Sequence, residues 1–402
     1  MNLSDIFSPS LNQLKDLSFP CFFTSENVLI NRMQALNNVF ENAKIHFAVK
    51  SNYSPKIIKI LKANGLFGID TVSINEVRYA KYLGFESHEI VYTGNNVDKI
   101  EISEVIKEGV LLNIGSFDEL KMFTECNPSK KEVGIRLNPL FGVGENDFVN
   151  TGGEDAKFGI RIDEIEELLR FSSEHDLKIV CLHFHLGSGI YDVNDMQRLF
   201  DVMLKIIVNF KDILKIDLGG GFGVRYSKEL KTIDLSAFKK VFKRYKAKIN
   251  DILGRDIQFL FEPGKFLVTE STVLLAEVTN VRYLKNKLLI GVNTGMNHNI
   301  RPPLYDAKHD VENLSSQKSL VKSDIYGNIC ESADFIAKNI LINEPKIGDI
   351  ICVYSAGGYC SSMSSFYNMR SFANEYILKS NQEIVQARSG NFFDFKALGY
   401  AF

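Results

Sequence analysis

Lys50 closes an apolar run, Ile45-His46-Phe47-Ala48-Val49, and is followed by the polar pair Ser51-Asn52. Such a run is a short buried strand, which places the lysine at the strand's C-terminal mouth. Most strand-end lysines are solvated charges, since lysine is rarely buried. An amine partly withdrawn from water, however, loses basicity and can attack a carbonyl to form a Schiff base. Three other segments carry groups that would complement it. Gly219-Gly220-Gly221 follows the apolar run Leu214 to Leu218, and consecutive glycines make either a tight turn or a nest of converging N–H groups suited to phosphate. His183-Phe184-His185-Leu186-Gly187-Ser188-Gly189 sets a hydroxyl between two glycines at another strand end. Alternate strand residues face opposite ways, so one histidine is expected in the site; His185, beside the Gly-Ser-Gly turn, is the choice. Glu262-Pro263-Gly264 ends a further strand with a carboxylate, which alone would read as a rim ion pair.

Together these groups match the needs of pyridoxal 5'-phosphate: a lysine for the aldehyde, glycines and Ser188 for the phosphate, a flat imidazole for the ring face, and a carboxylate for the ring nitrogen. A carboxylate there keeps the nitrogen protonated and the ring an effective electron sink.

The elements that must hold these groups alternate. After a short strand at Pro20 to Phe23 and a helix from Glu26 to Ala43, strands are expected at Lys44–Val49, Phe67–Ile69, Ile90–Thr93, Leu111–Ile114, Glu132–Leu137, Lys178–His185, Leu214–Leu218 and Asp256–Phe261. Helices of 3.6-residue apolar period separate them. One begins at Ser116, with Glu119 in capping-box spacing, and another is capped at Asp163. About eight βα repeats in roughly 220 residues have the count and size of a (β/α)8 barrel, with a doubly wound sheet as the alternative. The barrel explains why Lys50, Asp70, Arg136, His185, the glycines and Glu262 all fall at strand C-terminal ends. Gly219 to Val224 does not supply the dinucleotide pattern G-x-G-x-x-G. Beyond Pro263-Gly264 the texture becomes alternating, as in antiparallel strands. The expected division is residues 1–24 joining a β-domain, 25–265 as the barrel, and 266–402 as the C-terminal β-rich domain.

Composition agrees with an enzyme acting on a small molecule. The 402 residues are 45% hydrophobic and 24% charged, with net charge −2. No basic block or long apolar run points to nucleic acid or membrane. The N-terminal residues lack a secretory signal, so a cytoplasmic location is expected. The six cysteines form no C-x-x-C pair, and the seven histidines no H-E-x-x-H, so no metal is expected. Most of the cysteines are expected in the core. Cys330, taken alone, is a small buried residue.

The order of these motifs resembles the fold-type III pyridoxal-phosphate decarboxylases, the family of diaminopimelate and ornithine decarboxylases, and most nearly its diaminopimelate branch. The resemblance covers almost the whole chain. It rests on Phe47 to Asn52, Arg136-Leu137-Asn138-Pro139, Asn150 to Glu154 with Lys157-Phe158-Gly159, His183 to Gly189, Gly219 to Gly221 and Glu262-Pro263-Gly264. It continues through Arg301-Pro302-Pro303-Leu304-Tyr305, Cys330-Glu331-Ser332-Ala333-Asp334, Gly358-Tyr359 and Tyr367-Asn368-Met369-Arg370.

The resemblance implies an alanine racemase-like barrel with a β-domain and an α-decarboxylase that converts meso-diaminopimelate to lysine and carbon dioxide. It implies that Lys50 holds the cofactor, His185 stacks on its ring, Glu262 faces its nitrogen, and Ser188, Gly219, Gly220, Gly221 and Tyr359 bind phosphate. Lys265, Arg301, Tyr305, Glu331 and Tyr367 would contact substrate. Cys330 would donate a proton into the site of a second subunit, giving a homodimer with shared sites. The chain departs from the family at Lys265, where arginine is usual, at Asn293-Thr294-Gly295, at Ser371, and in the loop Gly142 to Glu145, which lacks a histidine. Lysine cannot form arginine's bidentate fork. These departures bear on the distal end of the substrate, and the alternatives are a decarboxylase of a D-amino acid or of an aminocarboxyalkyl group on a larger metabolite. An amino-acid racemase shares the barrel type, but the Cys330 and Tyr367 motifs favour decarboxylation. Retention of Lys50 and Cys330 argues against an inactive binding paralogue.

Overall fold

Eight parallel strands close into a ring in the computed structural model, which describes residues 3–144, 152–227, 229–230 and 233–390. They are β2 (Lys44–Ala48), β3 (Gly68–Thr71), β4 (Ile90–Tyr92), β5 (Leu111–Ile114), β6 (Glu132–Asn138), β7 (Lys178–His183), β8 (Lys215–Asp217) and β9 (Gln258–Phe261). Each pairs with the next, and Leu260 and Phe261 of β9 pair with Lys44 and Ile45 of β2 to complete the circle. The closure establishes the barrel and excludes the open, doubly wound sheet. Ring closure also leaves no exposed edge.

Helices follow seven of these strands: α2 (Pro55–Ala63), α3 (Ile74–Tyr82), α4 (Lys99–Lys107), α5 (Phe117–Glu125), α6 (Ile165–Glu174), α7 (Val193–Ile206) and α8 (Leu235–Leu253). The preceding helix, α1 (Glu26–Val39), packs against α2 and α8 and fills the eighth place. Side-chain caps fix several starts: Ser25, Ser73, Asp98, Ser116, Asp192 and Asp234 each accept a backbone N–H of the first turn. Such a cap contributes about 1 kcal/mol. At α5 Ser116 accepts the Glu119 N–H at 3.2 Å, but Glu119 reaches back to Gly115 rather than to the cap residue. The cap expected at Asp163 is displaced, because Ile162–Glu164 forms a separate 3-10 turn and α6 starts at Ile165.

Phenylalanines join α1 and α8 to the barrel. Phe40 stacks on Phe261 at 3.8 Å between centroids and meets Phe242 edge-on at 5.3 Å. A buried aromatic pair of this kind adds about 0.5–1.5 kcal/mol beyond its area.

The second sheet has nine strands. β1 (Cys21–Ser25) lies between β10 (Thr272–Tyr283) and β16 (Asn374–Leu378), so the N-terminal strand belongs to this sheet. Outward from β10 run β11 (Leu288–Val292), β13 (Leu320–Tyr326) and β14 (Phe335–Asn343); β17 (Ile384–Arg388) lies beyond β16, and β15 (Ile350–Val353) pairs with both β10 and β12 (Val311–Asn313). The alternating, strand-like texture expected beyond Pro263-Gly264 begins later, at Thr272. Lys265–Val268 is a short helical turn, so the chain leaves the barrel by a turn before entering the sheet.

Candidate active site

The C-terminal ends of the barrel strands, with two loops of the second sheet, enclose a cavity of about 540 Å³. Its wall includes Lys50, Asp70, Arg136, His183, His185, Ser188, Gly221, Glu262, Lys265, Arg301, Tyr305 and Tyr359.

Lys50 is held by its flanks. After β2 the chain makes a 3-10 turn over Val49–Ser51, closed by the Ser51 hydroxyl donating to Ala48 O at 2.7 Å. Asn52 donates to Gly357 O at 2.9 Å, and the Tyr359 N–H donates to Ser51 O at 2.9 Å. The lysine turn is thereby bolted to the β-domain loop that carries Tyr359. That tyrosine sits at φ 59°, a strained conformation for an L side chain. Lys50 Nζ donates to Asp70 Oδ2 at 2.8 Å. The side chain is 36% exposed because it opens on the cavity, while Asp70 is 1% exposed. Burial would lower the lysine pKa, but Asp70, with Tyr359 and Glu262, overrides it and holds the ammonium above its ordinary range. Burial and Glu262 push Asp70 up to about 7, against the pull of Lys50.

Both histidines reach the cavity, which corrects the expectation that only one would. β7 ends at His183, so strand alternation no longer governs the chain when it reaches His185. Burial keeps both rings neutral, with His185 lowered to about 3 by burial and by the charges of Arg136 and Lys50. The Gly220 N–H donates to His185 Nδ1 at 3.1 Å, so the His185 ring proton lies on Nε2. A fixed, uncharged ring is suited to packing on a flat heterocycle. His183 serves the carboxylate instead, with its Nε2 3.0 Å from Glu262 Oε2. Burial works against a charge on Glu262, but the hydrogen bond from His183 and the charge of Lys50 outweigh it and hold the acid below its ordinary range. An ionised Glu262 only accepts, so His183 Nε2 is the donor.

The glycine turn differs from a nest of three equivalent donors. The Gly219 N–H goes to Asp217 Oδ1 at 2.9 Å and the Gly220 N–H to His185, and neither residue forms part of the cavity wall, whereas Gly221 and Ser188 do. All three positions exclude a side chain. A Cβ would lie 2.5 Å from His185 Nδ1 at Gly219, 2.2 Å from Glu262 O at Gly220 and 2.1 Å from Gly187 O at Gly221. Gly219 and Gly221 also have φ of 64° and 87°, which favours glycine.

Lys265 and Arg301 are 8% and 7% exposed and share one aromatic neighbour. Lys265 Nζ lies 5.7 Å, and Arg301 Cζ 4.3 Å, from the centroid of the Tyr226 ring. Two cations of the cavity wall therefore sit around one ring.

Cys330, Glu331 and Tyr367 are not among the residues of this wall. Cys330 is exposed, against the expectation of a core cysteine, whereas Cys21, Cys181, Cys352 and Cys360 are buried. Its loop and the Tyr367 turn brace one another: the Cys330 N–H donates to Asn368 Oδ1 at 2.7 Å and Arg370 to Asn328 O at 3.1 Å. Glu145, Asn150 and Thr151 of the sequence motifs lie outside the described residues. His183, Asp217 and Tyr226 were not selected by sequence reasoning. The signal for Asp217 was present as a carboxylate inside the apolar run Ile213 to Leu218.

The residues fit pyridoxal phosphate on three observations. Glu262 Oε1 is buried without a protein donor at the cavity wall, a neutral imidazole flanks it, and glycines whose Cβ positions are blocked let two loops approach where a phosphate would lie. Barrel, lysine, carboxylate and glycine turn define a pyridoxal-phosphate enzyme of the barrel type.

Comparison with known proteins identifies the kind. Residues 26–269 match the family model described as pyridoxal-dependent decarboxylase, pyridoxal binding domain, and the chain belongs to that family. It is 32% identical over 367 residues to the diaminopimelate decarboxylase of Methanothermobacter thermautotrophicus, covering 88% of this chain and 85% of the relative. It is 31% identical over 390 residues to that of Aquifex aeolicus, covering 94% and 90%. The crystal structure of Helicobacter pylori diaminopimelate decarboxylase complexed with L-lysine superposes with a TM-score of 0.85 at 28% identity, covering 94% of this chain and 95% of that one. The protein is a carboxy-lyase that uses pyridoxal phosphate. No helix among the described residues is long and apolar enough to cross a membrane.

Proposed function

We propose that the substrate is meso-diaminopimelate, decarboxylated at one amino-acid head to give lysine and carbon dioxide, a step of lysine biosynthesis. The observation that carries this reading is the wall formed by Lys265, Arg301 and Tyr305 in the same cavity as Lys50. A substrate with a second amino-acid head brings a second carboxylate, and two buried cations beside Tyr226 suit it. Lys265 keeps the charge of the usual arginine, although not its fork.

In this reading the barrel of residues 25–265 carries the cofactor and the β-domain of residues 266–402, joined by 1–24, closes the cavity. Lys50 would hold the cofactor through its aldehyde, and its amine lies where a substrate amine would enter the cavity. His185 would support the cofactor ring, Glu262 would serve its nitrogen, and Ser188, Gly221 and Tyr359, with the turn at Gly219-Gly220, would hold the phosphate. Bound there, the cofactor supplies an electron sink for the bond to the leaving carboxylate. The Cα–carboxylate bond breaks, carbon dioxide leaves, and the Cys330 thiol of a second copy gives its proton to Cα, to be reprotonated from solvent. The exposed position of Cys330, Glu331 and Tyr367, with the neighbouring Phe366 and Met369 also exposed, supports a twofold homodimer in which each chain completes the other's site.

Two measurements test this. Carbon dioxide release from meso-diaminopimelate, D-lysine, D-ornithine and aminocarboxyalkyl conjugates should give a specificity constant for diaminopimelate far above the rest; a better conjugate or a better D-lysine refutes the substrate. Borohydride reduction and peptide mapping should place the pyridoxyl group on Lys50, and label on another lysine refutes the cofactor assignment.

A further inference from the structure

Asp217, the last residue of β8, stands behind the cavity wall with its carboxyl wholly buried. One oxygen, Oδ1, accepts the Gly219 N–H at 2.9 Å. The other, Oδ2, has no donor, and neither has Glu262 Oε1. A carboxyl oxygen of Asp217, one of Glu262 and an imidazole nitrogen of His183 lie within 4.8 Å of one another.

Two ionised carboxylates have only lone pairs to offer, and in a buried site they would also repel. One proton between them removes both problems. Glu262 already takes a hydrogen bond from His183 and faces the Lys50 ammonium, so it is the better anion; Asp217 has a single backbone N–H. We propose that Asp217 is a positioning residue for Glu262, a neutral acid whose Oδ2 proton is donated to the Glu262 carboxylate while its Oδ1 holds the Gly219 N–H. Burial and the adjacent Glu262 charge push the Asp217 acid well above its ordinary range, in agreement.

The consequence is mechanical as well as electrostatic. His183 and Asp217 grip Glu262 from two strands, β7 and β8, and leave it with one negative charge for the ring nitrogen. The same side chain sets the first glycine of the turn assigned to phosphate. One buried acid therefore couples the two ends of the cofactor site. The inference rests on the cofactor reading and is independent of which amino acid is decarboxylated.

The test uses holoenzyme with Asp217→Asn and Asp217→Ala. Asparagine keeps a donor for Glu262 and an acceptor for Gly219, so cofactor affinity, the visible absorption band and kcat should stay within about threefold of the parent. Alanine removes both, and should weaken cofactor affinity by about tenfold or more and shift the visible band toward the form with an unprotonated ring nitrogen. Infrared difference spectra, parent minus Asp217→Asn, supply a readout that does not need the alanine variant to fold. They should show loss of the carbonyl band of a neutral carboxylic acid at neutral pH. Loss of an ionised carboxylate band instead, an asparagine variant as impaired as the alanine one, or an unaffected alanine variant would each overturn the proposal. Failure of the cofactor reading is distinguishable, because no visible band tied to Lys50 would then appear in the parent protein.

Discussion

Replacing Lys265 with methionine tests how the cavity recognises the far end of its substrate. The substitution keeps most of the aliphatic stem, which matters because Lys265 opens a helical turn packed by the fully buried Phe266 and Leu267, and it removes only the ammonium. A hydrogen bond between charged groups contributes about 1.5–3 kcal/mol. At 1.4 kcal/mol per tenfold, its loss should lower kcat/KM for meso-diaminopimelate about 10- to 150-fold. The lower end is favoured, because the neutral side chain also relieves the repulsion between Lys265 and Arg301 that share the Tyr226 ring. D-lysine has no distal carboxylate and should change by about 0.5 kcal/mol or less, roughly twofold. The assay is carbon dioxide release under kcat/KM conditions for both substrates, with the visible cofactor band as a check on loading. Equal losses for the two would show that Lys265 serves the cofactor or the scaffold. No loss for diaminopimelate would show that Arg301 alone bears the carboxylate. Lys265→Arg should at least match the parent if the planar fork is accommodated.

Three further outcomes are expected. Cys330→Ala should retain the cofactor band but lose turnover, and mixing it with inactive Lys50→Ala protein should restore part of the activity through hybrid dimers; no recovery under conditions where subunit exchange is demonstrated would count against shared sites. Gly220→Ala should lower the melting temperature and abolish cofactor binding, although its φ is not of the left-handed kind, because a Cβ there would lie 2.2 Å from Glu262 O; a stable, cofactor-loaded variant would mean that β8 and β9 can separate at their ends. His309 is buried, its Nδ1 2.8 Å from Tyr354 O, with burial and Arg301 lowering its pKa to about 4. Since that folded value lies below the ordinary 6.5, its neutral form is no penalty above pH 6.5, and stability falls by up to about 3 kcal/mol as pH drops from 6.5 through 4. His309→Phe should flatten that part of the urea-midpoint profile, and an unchanged slope would refute the assignment.

The barrel was legible because each βα unit repeats the same contrast, a short apolar strand against a helix of 3.6-residue period. Boundaries moved where side-chain pattern and backbone pairing differ. The run Leu214 to Leu218 is apolar enough for a five-residue strand, and although the regular strand is only Lys215–Asp217, the Leu214 N–H still donates to Val180 O at 2.9 Å and the Leu218 N–H to Leu260 O at 3.0 Å. The place of β1 between β10 and β16 follows from long-range pairing that no local pattern encodes.

The site divides along a different line. Lys50 and Glu262 announced themselves because a charged group at the end of an apolar strand is a local anomaly. His183 did not, because the alternation rule that sent it away from the cavity applies only while the strand lasts, and β7 stops at that residue. Cys330 misled for a related reason. Its neighbours do not determine whether it is covered, and the groups that hold its loop, Asn368 and Arg370, lie about 40 residues away. Asp217 was visible as a carboxylate in an apolar strand, but its meaning depends on Glu262, 45 residues later, whose charge decides which of the two acids keeps the proton. Residues that react directly can be found from their own surroundings. Those that set the charge or angle of a reacting group emerge only when the pair is brought together, and β8 and β9 become neighbours only in the folded ring.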